Sequence, residues 1–130
     1  MAKSVRITAA DFFSGIFAAL VVEDFKSLLY NKAFEEDIAK LFQEFKVYAE
    51  QNGFEVLFRI QLHPFHGDSE TIHQGILQAM QMGIITLDSP GNRIIRMKLT
   101  KDQAIAILND ITGGKLFTNF VLRIIDIFSH

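Results

Sequence analysis

Apolar residues recur at helical spacing through most of this chain, and the strand-like alternation of apolar and polar residues is confined to two stretches. Thr8 followed by Asp11 has the form of a capping box with Asp in place of the usual Glu or Gln, which sets a helix start near Ala9. Phe13, Ile16, Phe17 and Leu20 then share one face, and Phe25, Leu28 and Leu29 extend the same spacing towards Tyr30. The apolar content exceeds one stripe, so this helix is expected to be central or to be covered by a second subunit. A second helix is predicted from Lys32 to Gln51, with Phe34, Ile38, Leu41, Phe42, Phe45 and Tyr48 inward and Glu35, Glu36, Lys40 and Glu44 towards solvent. Asn52-Gly53 ends it.

From Phe54 to His63 the period changes to two: Phe54, Val56, Phe58, Ile60 and Leu62 alternate with Glu55, Leu57, Arg59, Gln61 and His63, which predicts a strand that Pro64 stops. Asp68 or Ser69 caps a helix carrying Ile72, Ile76, Leu77 and Met80 inward, which Gly83 ends. Ile84 to Leu87 and Arg93 to Leu99 form a hairpin, with Pro90-Gly91 suited to a type II turn. Thr100 caps a helix to about Asp110, and Gly113-Gly114 is a hinge before a last helix bearing Phe117, Phe120, Val121, Ile124 and Phe128. The expected architecture is one α+β domain over residues 1–130, mainly helical, with a small three-stranded antiparallel sheet and helices at both termini. Contact between the first and last helices builds either the core or a homodimer.

Composition narrows the chemistry. The chain of 130 residues is 49% hydrophobic with 13 Phe, enough apolar volume for a core. With no Cys, thiol nucleophiles, disulfides and Cys-ligated metals are excluded. A formal charge of -2 argues against a surface that coats nucleic acid or an anionic membrane. The apolar run from Phe12 to Val22 is too short to span a bilayer and no cleavage pattern follows it, so a cytoplasmic protein without membrane attachment is expected.

The order strand, helix, hairpin between Phe54 and Thr100 resembles the winged-helix family, in which a recognition helix is followed by a β-wing. The residues carrying this resemblance are Gln74 to Gly83, Gly83-Ile84-Ile85, Ser89-Pro90-Gly91-Asn92-Arg93 and Arg96-Met97-Lys98-Leu99-Thr100. The family's first strand is short and a separate helix precedes its recognition helix. Here the strand from Phe54 is long and little chain separates His63 from Ser69, so a generic α+β domain is the alternative.

The resemblance implies a non-catalytic regulatory or adaptor protein contacting a protein partner or DNA through Gln74 and Gln78 on the helix and Asn92, Arg93, Arg96 and Lys98 on the wing. His73 and Gln81 are also expected to face outward. From Arg93 to Arg123 six Lys or Arg stand against two Asp, whereas Glu23 to Glu50 holds seven acidic residues against four Lys. That asymmetry suits phosphate contact or an acidic protein surface, and the acidic net charge favours protein. The structural reading of the same charges is a solvated hairpin face.

The other function class is a metal-dependent enzyme or metal-binding protein. His63, His66, Asp68, Glu70 and His73 fall within eleven residues and combine imidazole with carboxylate, but no recognised metal spacing such as HEXXH occurs among them. Their structural reading is a helix cap, a dipole-favoured Glu and loop histidines. Gly114-Lys115 lacks the spacing of a phosphate-binding loop, and no nucleophile elbow or dinucleotide fingerprint is present. No cofactor or small-molecule substrate is implied.

Overall fold

The computed structural model describes residues 5–61, 69–88, 91 and 93–128. In chain order the elements are β1 (Val5–Ile7), α1 (Ala9–Val22), β2 (Ser27–Leu29), α2 (Lys32–Asn52), β3 (Phe54–Val56), α3 (Glu70–Gln81), β4 (Ile85–Asp88), β5 (Ile94–Met97), α4 (Lys101–Asp110), α5 (Gly114–Ile124) and a closing 3₁₀ turn (Ile125–Phe128). The fold is α+β and mainly helical, with a three-stranded antiparallel sheet in the order β2-β5-β4. β1 and β3 form a separate parallel pair, with Val5 opposite Phe54 and Ile7 opposite Val56.

α1 is the axis of the core. Every residue from Phe12 to Val21 is buried, because α3, α4, α5 and the 3₁₀ turn all pack on it. The capping box forms: Thr8 Oγ1 accepts from the Asp11 N–H at 3.2 Å and Asp11 Oδ2 accepts from the Thr8 N–H at 3.0 Å. Two neighbours come close enough to forbid a side chain on α1 or its partner. A Cβ on Gly15 would lie 2.3 Å from the Phe117 ring, and one on Gly75 of α3 would lie 2.4 Å from the Phe13 ring. Phe12, Phe42, Phe45 and Phe58 meet between α1 and α2, and Phe45 also touches Phe117 and Phe120 of α5, through ring contacts of 5.2 to 6.1 Å.

α1 does not run on to Tyr30 as its apolar spacing suggests. It stops at Val22 in a Schellman motif: the Asp24 N–H donates to Val21 O at 3.0 Å and the Phe25 N–H to Leu20 O at 2.9 Å, with Asp24 left-handed at φ 68°. Phe25, Leu28 and Leu29 mimic helical spacing but serve a strand, in which Leu28 is partly buried and Leu29 is 63% exposed. The third strand of the sheet is therefore β2, not the stretch after Phe54. β3 ends at Val56 because its partner β1 is only three residues long. Burial still alternates to Gln61, so the period-two pattern there reports one covered side and not a long ladder.

α2 begins at Asn31, whose Oδ1 accepts from the Phe34 N–H at 2.9 Å, and ends at Gly53 with φ 73°. Glu35, expected at the surface, is buried: it lies in the first turn, where the helix dipole favours a carboxylate. No helix among the described residues is long and apolar enough to cross a membrane.

Candidate partner-binding surface

α3 is seated by its inner face. Ser69 Oγ accepts from the Ile72 N–H at 3.3 Å, and Ile72, Gly75, Ile76 and Ala79 are buried. Gly75, pressed on Phe13, and not Leu77 takes the inward position, which turns Leu77 out to 37% exposure and corrects the inward placement read from the sequence. His73, Gln74, Gln78 and Gln81 are exposed around it, and Met82, just past the helix, is 57% exposed. The outer face of α3 is thus polar but uncharged beyond Glu70, with two apolar side chains that a strict helical stripe would not have revealed.

The end of α3 fixes the hairpin to it. The Ile84 N–H donates to Ala79 O at 3.0 Å and the Gly83 N–H to Met80 O at 3.1 Å, with Gly83 at φ 77°. Ile84 and Ile85 are buried immediately afterwards, and the Lys98 N–H donates to Ile84 O at 2.9 Å. β5, the second strand of the hairpin, is the middle strand of the sheet. Ile95 points inward and is fully buried, while Arg93, Arg96 and Lys98 are exposed.

Arg96 is not a free cation. Its Nε–H donates to Asp88 Oδ2 across the β4–β5 pair, and Thr86 Oγ1 donates to the other Asp88 oxygen at 3.2 Å. The guanidinium hydrogen bond holds the Asp88 carboxyl below its usual range, with help from Thr86 and the nearby charges of Arg96 and Lys98. Further along, Lys101 Nζ lies 3.0 Å from Asp24, and the Arg123 guanidinium sits over the Tyr48 ring at 5.7 Å. Three of the six cations between Arg93 and Arg123 are therefore engaged, and Arg93, Lys98 and Lys115 take no ion pair within 4 Å among the described residues.

Tyr30, which the sequence pattern assigned to a helix end, joins the two halves of the surface. Its N–H donates to the Arg93 carbonyl, at 2.6 Å, and its hydroxyl stands 3.5 Å from His73 Nδ1, while its ring packs edge-on against Phe34. His73 on α3, through the Tyr30 hydroxyl, and Arg93 at the root of β5, through the Tyr30 backbone N–H, are thereby brought to one residue.

No known protein family, curated protein or solved structure matches this chain. The surface has to be read from its own residues. Of the expected contact residues, Gln74 and Gln78 fall on α3, Arg96 on β5 and Arg93 and Lys98 just before and after it, and Asn92 lies outside the described residues, as do Ser89 and Pro90 of the expected turn. Gly91, between them, has a positive φ of 67°. His63, His66 and Asp68 of the metal alternative also lie outside the described residues, and its other members, Glu70 and His73, are both exposed on α3. Among the described residues, no group of three His, Asp or Glu could hold a metal ion.

Proposed function

We propose that this protein is a non-catalytic regulatory or adaptor protein of winged-helix type that recognises a protein partner through the outer face of α3 and the adjoining hairpin. The observation that carries the reading is the composition of that face: Gln74, Gln78 and Gln81 surround Leu77 and Met82, 37% and 57% exposed, with no Lys or Arg. Interface centres between proteins are depleted in charge and enriched in Met, which suits this surface. A DNA-reading helix is flanked by cations that hold phosphates; here Arg96 is committed to Asp88, which leaves Arg93 and Lys98 beside a helix that itself carries no Lys or Arg.

The element order supports the same reading. A short strand, β2, between the first two helices pairs with the last strand of the hairpin, and α2 precedes α3, the two features that the stretch from Phe54 to Ser69 could not supply. A homodimer belongs to this reading as well. The bonds from Tyr30 N–H to Arg93 O and from Met97 N–H to Lys26 O turn the N–H and C=O of Ser27 and Leu29 away from β5, towards an edge that no described strand covers.

A photo-crosslinking amino acid placed at Gln78 in the native host is expected to give a discrete protein adduct that the same group at Glu44 on α2 does not give. Absence of any adduct specific to Gln78, combined with duplex DNA binding that falls steeply with salt and weakens in an Arg93→Ala, Lys98→Ala variant, would replace the protein reading with a DNA one.

A further inference from the structure

An open pocket of about 370 Å³ lies where the C-terminal end of α1, the approach to β2, the far end of β5 and the start of α4 meet. Its volume falls within the roughly 300–1,000 Å³ typical of small-molecule sites. The floor is apolar: Val21 is buried, while Phe25, Met97 and Leu99 are only partly covered by the core. The rim is charged, with Lys26, Arg96, Lys101 and Asp24.

The charge balance at this rim selects a ligand class. Lys101 is paired with Asp24 and Arg96 with Asp88, whereas Lys26 makes no ion pair within 4 Å among the described residues. One positive charge is thus left over beside an apolar floor. A ligand with several phosphates would require cations that are already occupied, and a neutral one would gain nothing from Lys26. An apolar body with a single negative group satisfies both parts of the site.

We propose that this pocket binds an amphipathic monoanion, a carboxylate carrying an aliphatic or aromatic body, with its charged group at Lys26 and its body over Phe25, Met97 and Leu99. The site shares Arg96 and Met97 with the hairpin of the partner-binding reading but uses neither the outer face of α3 nor Arg93, and decanoate binding tests it separately from any partner adduct at Gln78.

Titration of the full chain with decanoate, followed calorimetrically, is the direct test. Saturation at one equivalent is expected, with affinity that falls as salt rises and with decanol, which has the same body and no charge, binding at least about tenfold more weakly. Lys26→Glu, at an exposed position, is expected to weaken decanoate by about tenfold or more while leaving the unfolding temperature unchanged, and Lys40→Glu on α2 to leave binding as it was. No saturable binding up to millimolar decanoate, equal affinity for decanol, or equal loss in the two Lys variants would overturn the proposal.

Discussion

α1 and α3 end in the same backbone motif, and each delivers the chain towards the same sheet, yet they fill the critical left-handed position differently. At the end of α3 it is Gly83, with open space around it; at the end of α1 it is Asp24, whose carboxylate reaches Lys101 at 3.0 Å. Glycine occupies that conformation without steric cost, while an L-residue with a Cβ gives up roughly 1–2 kcal/mol, less for Asp and Asn. The first end is therefore a relaxed joint before the hairpin. The second accepts strain and places a carboxylate on the rim of the pocket at the start of α4.

The contrast can be broken at several points. Its foundation is the seating of α3, so Gly75→Ala should have the largest effect: the new methyl meets a Phe13 ring that is 1% exposed, and a loss of about 1–3 kcal/mol is expected even after the gain in helix propensity. Chemical denaturation would measure it, and a neutral or stabilising result would mean that α3 is free to shift on α1. Next in size are the joints themselves. Gly83→Ala should cost about 1–2 kcal/mol. Asp24→Gly should remain within about 0.5 kcal/mol of the parent, as relief of the left-handed residue offsets a lost exposed ion pair, while Asp24→Ala should cost about 1 kcal/mol. Equal losses for Gly83→Ala and Asp24→Gly would remove the distinction.

The smallest effect concerns the ion pair that follows the relaxed joint. Because Arg96 lowers the folded-state pKa of Asp88 below 3.8, the stability it contributes is present above that value and is lost as pH falls through the folded-state pKa. Denaturation midpoints compared near neutrality and at about pH 3 should therefore drop slightly less in Arg96→Gln than in the parent. The reverse order would show that Arg96 acts elsewhere.

These two ends also mark what could be read from the sequence. Helix starts were legible because caps use particular side chains: Thr8 with Asp11, Asn31, Ser69, and Thr100 with Gln103 all bond as their residue types require. Gly83 was legible for the same reason. Asp24 was not, since Asp rarely signals a helix end, and Phe25, Leu28 and Leu29 continue the helical spacing by coincidence. β1 and β2 escaped notice because three residues cannot display a period. On the candidate surface, the exposed Gln residues of α3 follow from periodicity, but the outward turn of Leu77 depends on Gly75 meeting Phe13, a contact between helices. The neutralisation of Arg96 by Asp88 and the pocket beside Lys26 likewise arise only when distant segments meet.

One consequence concerns the order in which the protein can be made. α1 has no face left for water, and much of what covers it comes from α3, α4, α5 and the closing 3₁₀ turn, in the later part of the chain. During synthesis this apolar helix emerges first and must wait for partners that have not yet been translated. A nascent chain halted before α4 would present much of the stretch from Phe12 to Val21 to solvent or to a chaperone, so premature termination is expected to yield an aggregation-prone fragment and not a smaller working domain.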